Sequence, residues 1–334
     1  MVKNKFGEKE KIFKSFVDVV YYFEEEPESD WLLVVFSAVN PPNKFTYNYV
    51  STLNHLKCNK LFILDKYGEQ GAYYLGENRS FIIETSVVSL LNYITRKYNI
   101  QTKNVITAGS SKGGYSALYY GIKYQFGYIV AGGPQTKLGE FLFDQGKNYS
   151  IAEYIAGDLS LESKEYLNSL LYKVLSMPSD SMPDIYIHVG NEDHHYQNHV
   201  LPFTKELSKL GVLYNLDVKN YDSHDGLRQY FPPYLTETLC DIMDQNIEDV
   251  YPIKLITIEK DKESLVVECV TTGNSLEYAF YIYKDEKILE KIYYTSSSKL
   301  YFQIKEKGRY KCKVFVKNRN GSKFIQMSDY VTFN

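Results

Sequence analysis

A serine hydroxyl attacks a carbonyl only when a base takes its proton and a third group orients that base. Residues 109–113 read Gly-Ser-Ser-Lys-Gly, a match to Gly-x-Ser-x-Gly, and Gly114 follows directly. The pentapeptide alone is a weak signal, but its surroundings strengthen it. An apolar strand pattern (residues 105–108) runs straight into it, and a helix-like segment (residues 115–123) runs straight out. Such a turn lifts Ser111 to the carboxyl edge of a sheet and starts the next helix beneath it. Gly109 and Gly113 are required small, because side chains there would collide with neighbouring backbone. A glycine-rich turn holding an inert serine is the plain alternative.

Where a strand-turn-helix elbow carries the nucleophile, the chain order of the triad is serine, acid, histidine. Asp193 closes the loop Gly190-Asn-Glu-Asp after a strand pattern, and His224 sits in the turn-rich loop Tyr221-Asp-Ser-His-Asp-Gly after the next one. These are the expected acid and base. Glu192 and Asp184 compete as acids, while Asp222 and Asp225 fit a solvated loop; Asp193 itself also fits a carboxylate at a helix start. His194 and His195 are alternative bases that adjoin the acid. Asp193, His195 and His199 pose a metal reading, but no cysteine completes a ligand set and no metal is expected. The oxyanion needs backbone donors: Lys112 N–H, and Ala38 or Val39 in the loop after the first long strand. The Lys112 side chain either steers an anionic substrate or points away along its helix.

The elements that must position these groups alternate. Short apolar runs at 31–36, 60–65, 104–108, 127–131, 184–189 and 213–218 are separated by helical patterns, notably 86–98 and 200–210, the latter stopping at Gly211. Runs of this kind suit strands buried on both faces of a parallel sheet. The expected fold class is therefore α/β, a doubly wound, mostly parallel sheet of α/β-hydrolase type. Residues 138–183 are mostly helical in pattern and form the expected cap insertion. After Pro252 the rhythm changes to closely spaced strand patterns at 265–270, 278–283, 300–304 and 310–316, with Asn320-Gly321 as a hairpin signal. A small immunoglobulin/fibronectin-like β-sandwich is expected, with Tyr310 in a tyrosine-corner strand two residues before Cys312. The boundary falls near Tyr251-Pro252, giving domains 1–250 and 251–334.

The chain has 334 residues, 44% hydrophobic and 24% charged, and a net charge of −3, without a basic stripe. That gives no electrostatic reason to expect nucleic acid. No apolar run is long enough to span a bilayer, and the start lacks a signal-peptide pattern. Its lysines (Lys3, Lys5, Lys9, Lys11, Lys14), interrupted by Glu8 and Glu10, read as a solvated, partly helical arm. Cys58, Cys240, Cys269 and Cys312 lie far apart, which argues for a reducing, cytoplasmic location. The 33 tyrosines fit compositional bias as well as a glycan-stacking surface.

Several segments together resemble a known family. Residues 36–41 (Phe-Ser-Ala-Val-Asn-Pro), 61–65 (Leu-Phe-Ile-Leu-Asp) with the glycine loop and Tyr73-Tyr74, 109–114, Gly132-Gly-Pro-Gln135 and Gly190-Asn-Glu-Asp193 come in the expected order. They are similar to the α/β-hydrolase-like proteins of bacterial surface-glycan pathways. These include capsular polysaccharide biosynthesis proteins of the XcbB/CpsF type and, more distantly, the acetyltransferase component of the accessory Sec system. The C-terminal segment is similar to β-sandwich modules of the three-Tyr type. The resemblance implies a Ser111–His224–Asp193 site for acyl transfer, as esterase or O-acyltransferase, on a surface or capsular glycan. Ser37, Gln135, His194, His195 and Tyr196 would face the substrate, and Ser37-Ala38 departs from the usual oxyanion loop. No cofactor is called for, though acetyl-CoA stays open as donor. The other readings are an inactive hydrolase-fold protein in glycan binding or assembly, and a peptidase or lipase. Oligomeric state is not legible.

Overall fold

The computed structural model describes residues 9–177, 181–246, 252–272, 275–318 and 321–333. By its contacts the chain forms two units, Met1–Asn48 with Lys57–His224, and Tyr49–Leu56 with Asp225–Asn334.

The first unit is built on eight strands: β1 (Glu10–Phe13), β2 (Val19–Glu24), β3 (Leu32–Phe36), β4 (Asn59–Ile63), β5 (Val105–Ser110), β6 (Tyr128–Gly132), β7 (Asp184–Gly190) and β8 (Tyr214–Lys219). Their order in the sheet is β1-β2-β4-β3-β5-β6-β7-β8. From β4 through β8 all neighbours run parallel, while β1 and β2 are antiparallel. Every residue of β3, β4 and β5 is buried, which is why these strands read as mostly apolar runs. The chain leaves β3 toward β4 on one side and returns through β5 on the other. The carboxyl ends of β3 and β5, paired Val35 to Ala108, therefore meet at the point where strand order reverses. Open α/β sheets place their sites there.

The sequence start corrects one expectation. Residues 9–24 form β1 and β2 with the turn between them, not a partly helical arm; Lys3 and Lys5 lie outside the described residues. Residues 19–23 (Val-Val-Tyr-Tyr-Phe) are β-branched and aromatic, and Tyr21 and Tyr22 pair with Ile63 and Phe62 of β4. Val19, Tyr21 and Tyr22 are buried, so apolar pairing overrides the flanking charges.

The helices of this unit are α1 (Ile82–Lys97), α2 (Lys112–Lys123), α3 (Leu138–Glu140), α4 (Tyr149–Ala156), α5 (Leu161–Leu175) and α6 (Leu201–Lys209). The segment 138–175 is helical, with a π-helical turn over Phe141–Gln145, and 178–180 lie outside the described residues. Gly157, at φ 93°, ends α4, and Ser160 Oγ caps α5 by accepting from Ser163 N–H at 3.1 Å. Helix α5 packs against α2 and α3.

The second unit contains α7 (Leu227–Ile242) and strands β9 (Ile253–Asp261), β10 (Ser264–Thr271), β11 (Glu277–Lys284), β12 (Lys287–Thr295), β13 (Lys299–Gln303), β14 (Gly308–Lys317), β15 (Lys323–Met327) and β16 (Val331–Phe333). Two antiparallel sheets, β13-β10-β9 and β12-β11-β14-β15 with β16 beside β14, make the sandwich. Burial alternates along β14, as one-sided packing requires. The Tyr310 hydroxyl donates to Glu306 O at 2.6 Å, closing a tyrosine corner. Gln229 of α7 donates to Ile256 O, and Gln326 donates to Gln229 O, so α7 is tied within this unit. Tyr251, at the expected boundary, and Asn320, of the expected hairpin turn, lie outside the described residues. The four cysteines are buried.

Candidate active site

The strand-to-helix elbow at Ser111 forms because the chain must leave β5 and enter α2 without a connecting loop. Ser111 takes the strain, with φ 55° and ψ −116°, a conformation that costs a non-glycine residue on the order of 1–3 kcal/mol. The surroundings over-determine it. Ser111 N–H donates to Gly132 O at 2.8 Å, and Ser111 O accepts from Tyr115 N–H at 3.0 Å. A Cβ on Gly109 would lie 2.6 Å from the backbone of Gly113, and one on Gly113 would lie 2.4 Å from Phe36 O. The expected reason for small residues is thus met. Lys112 N–H stands in the first turn of α2, where no intrahelical acceptor exists, so it is available to an oxyanion.

Ser111 Oγ accepts a hydrogen bond from Gln135 Nε2 at 2.8 Å. Gln135 is buried and its Oε1 accepts from the Tyr73 hydroxyl at 2.5 Å. The sequence placed Gln135 among substrate-facing residues; the structure brings it onto the serine itself.

The Lys112 side chain turns into the interior, where Nζ lies 2.6 Å from Asp65 Oδ2, with both side chains buried. Asp65 also accepts from Ala72 N–H at 2.9 Å. Burial lowers the Lys112 pKa and the Asp65 charge opposes that fall. Of the two orientations left open, steering of an anionic substrate is the one this pairing removes. The pair anchors the turn in which Tyr73 and Tyr74 both adopt positive φ, 53° and 58°.

Tyr74 braces the other side of the site. Its hydroxyl accepts from Ser37 N–H at 2.8 Å, lies 2.7 Å from Ser37 Oγ, and donates to Ile63 O at 2.8 Å. Ser37 is therefore a buried structural residue. Ala38 N–H donates to Asn48 Oδ1 at 2.9 Å, so it is not a free oxyanion donor in this structure. No hydrogen bond takes Val39 N–H among the described residues, which leaves Val39 beside Lys112 as the available backbone donors.

Asp193 and His224 meet across two loops, each following a strand. His224 Nδ1 lies 2.8 Å from Asp193 Oδ2. The other carboxylate oxygen is held by His195, from its backbone N–H at 2.9 Å and its Nδ1 at 3.0 Å. Burial pushes the Asp193 carboxyl up, but the hydrogen bonds and charges of His195 and His224 outweigh it and leave the carboxyl well below the usual range. Asp193 stays ionised and its two oxygens point at two imidazoles. The rings of His195 and His224 stack with centroids 3.8 Å apart. Burial pulls His195 down to about 4, against the pull of Asp193, so a neutral ring covers His224. Ser111 Oγ and His224 share no hydrogen bond here; such contacts tighten on substrate binding in many sites.

The remaining candidates separate by burial. His194 is exposed, with Nδ1 3.5 Å from Asp193 Oδ1, and Tyr196 is half-buried. His199 is buried with both nitrogens taken, Nδ1 by Lys137 N–H at 3.2 Å and Nε2 by Gln145 Oε1 at 2.9 Å. Asp193, His195 and His224 offer ligand atoms within 4.8 Å of one another, and the Nδ1 atoms are engaged with the carboxylate. Asp184, Glu192, Asp222 and Asp225 are exposed. Sequence reasoning missed the roles of Tyr73, Asn48 and Asp65; Tyr73 and Asp65 act on residues far along the chain, Asn48 on Ala38 across one loop, and no local pattern marks such pairs.

The sheet, its switch point and the elbow define the class: an α/β-hydrolase fold carrying a separate β-sandwich. Comparison with known proteins agrees. The chain is similar to an accessory Sec system protein of Staphylococcus aureus, 26% identical over 122 residues, which are 36% of this chain and 22% of that one. The matched stretch is thus about a fifth of the relative's length. Among solved structures, the capsule O-acetyltransferase of Neisseria meningitidis serogroup A superposes with a TM-score of 0.60 at 21% identity, covering 72% of this chain and 97% of its own. The fluorophosphonate-binding serine hydrolase F of Staphylococcus aureus superposes at 0.55 and 16%, covering 70% and 96%. At these identities the structures establish the fold. No family model matches the sequence. Among the described residues no helix is long and apolar enough to cross a membrane.

Proposed function

We propose that this protein is a serine-dependent acyltransferase or esterase acting on a bacterial surface or capsular glycan in the cytoplasm. The observation that carries the reading is the strained Ser111 at the carboxyl edge of β5 together with an ionised, buried Asp193 bonded to His224. His224 takes the Ser111 proton through Nε2 while Oγ bonds to the acyl carbonyl carbon. The carbonyl electron pair moves onto oxygen, where Lys112 N–H and Val39 N–H receive it. Collapse expels the leaving group, which takes the proton back from His224, and a sugar hydroxyl or water repeats the sequence on the acyl-enzyme. Asp193 holds His224 in the Nδ1–H tautomer and stabilises the imidazolium. The segment 138–183, whose helices lie between residues 138 and 175, serves as the cap whose exclusion of water favours the sugar, and the boundary between catalytic domain and sandwich lies near residue 251.

A variant of the Neisseria enzyme was solved with CoA, so acetyl-CoA belongs beside simple esters as a donor. The absence of a Ser111–His224 hydrogen bond favours, as second reading, a scaffold without activity. Release of p-nitrophenol from p-nitrophenyl acetate, and transfer of labelled acetyl from acetyl-CoA to capsular oligosaccharides, separate the two. Turnover lost in Ser111→Ala supports the enzyme. A folded wild type inert with every donor and acceptor supports the scaffold.

A further inference from the structure

A buried phenol has one proton and must give it to something. Tyr73 is fully buried, burial keeps it protonated, and among the described residues its hydroxyl has Gln135 Oε1 as its acceptor. That bond decides which way the Gln135 amide faces. With Oε1 committed to Tyr73, the amide nitrogen must face Ser111 Oγ, as it does at 2.8 Å. The reverse orientation would strand the Tyr73 proton and draw the serine proton onto Gln135. The segment carrying the amide is pinned on both sides: Gly133 N–H donates to His188 O at 2.7 Å, and Thr136 Oγ1 donates to His199 O at 2.7 Å.

We propose that Gln135 is a further catalytic residue, its Nε2–H stabilising the negative charge that develops on Ser111 Oγ, and that Tyr73 is the positioning residue that fixes the amide. The proposal rests on Ser111 being the nucleophile. A serine oxygen carries one proton and two lone pairs. Gln135 takes one lone pair, the proton goes to His224, and the other lone pair forms the bond to the acyl carbon. When the acyl-enzyme is resolved, the Oγ–carbon bond breaks, its electron pair returns to Oγ, and the same Nε2–H meets it before His224 returns the proton. Gln135 therefore accelerates both half-reactions, which a residue binding only the substrate would not do.

The test is the second-order rate of labelling by a fluorophosphonate, read by fluorescence for wild type, Gln135→Ala, Gln135→Glu, Tyr73→Phe and Ser111→Ala. Losing a hydrogen bond to a charged oxygen lowers the Gln135→Ala rate by about 10- to 100-fold, and Tyr73→Phe lowers it by about 3- to 10-fold because the amide is free to turn. Gln135→Glu matches the shape of glutamine but is an acceptor when ionised. Its rate falls at least as far as that of Gln135→Ala at neutral pH. A wild-type rate in Gln135→Ala, or a wild-type rate in Gln135→Glu at neutral pH, overturns the proposal while Ser111 stands. Should Gln135→Ala not fold, a wild-type rate in Tyr73→Phe overturns it. A folded wild type that takes no label at all removes Ser111 as nucleophile, and this proposal with it.

Discussion

Gly113 lies in the second position of α2 with a helical backbone, so alanine there gains roughly 1 kcal/mol of helix propensity. What it cannot gain is room. The new Cβ would sit 2.4 Å from Phe36 O, 3.1 Å from Phe36 C and 3.3 Å from Ser37 O, and a carbon-to-oxygen contact needs roughly 3.4 Å. Something must move by about 1 Å. Phe36 ends β3 between two paired strands, and Ser37 is fastened to Tyr74, so the displacement falls on the elbow or on the oxyanion loop. Overpacking costs about 1–3 kcal/mol, which the helix propensity partly offsets. Gly113→Ala should stay folded, about 0–2 kcal/mol less stable. A misplacement of that size at a reacting centre costs about 100-fold in rate. The assay pairs denaturant unfolding with fluorophosphonate labelling, and Gly211→Ala is the control. Gly211 has φ 70° and no atom within 4 Å of a Cβ, so alanine there costs about 1 kcal/mol of backbone strain and leaves labelling unchanged. Labelling of Gly113→Ala at the wild-type rate would refute the placement of the oxyanion donors.

Asp193→Asn presents an amide to two Nδ1–H donors, so one imidazole must change tautomer; turnover should fall by about 10³- to 10⁴-fold with little change in KM, measured on p-nitrophenyl acetate. Acid should weaken the first unit. A histidine held down at about 4 in the fold and near 6.5 unfolded contributes its full share above pH 6.5. That share is lost as pH falls toward 4, about 3 kcal/mol for His195 alone. Trp31, the single tryptophan, reports this in urea titrations at pH 7 and 4.5, and His195→Gln should flatten the slope. Lys112→Met leaves Asp65 buried and uncompensated, a loss of about 3–5 kcal/mol. Lys112→Met with Asp65→Asn should lose less than the two single changes added, which a double-mutant cycle measures.

How much of this was legible in the sequence follows from the range of each interaction. Strands β3 to β7 announced themselves because burial leaves short, mostly apolar runs, whereas β8, the edge strand carrying Asn215, Asp217 and Lys219, is more exposed. The elbow was legible because strand, turn and helix are contiguous. Asp193 and His224 followed from chain order, each coming just after a strand. Strands β1 and β2 were hidden by flanking lysines and glutamates, since pairing with β4 is a tertiary fact. The same holds for the residues that tune the site. Tyr73 and Gln135 are 62 positions apart, and Lys112 and Asp65 are 47 apart. Whether Lys112 faced substrate or interior depended on a carboxylate that no local spacing marks.

The central claim is that Ser111 is a nucleophile activated by His224. Peptide mapping by mass spectrometry after treatment with a fluorophosphonate tests it most directly. One adduct should form, on the peptide carrying Ser111, absent in Ser111→Ala and formed at least about 100-fold more slowly in His224→Ala. An adduct on another residue, or equal labelling of wild type and His224→Ala, would contradict it.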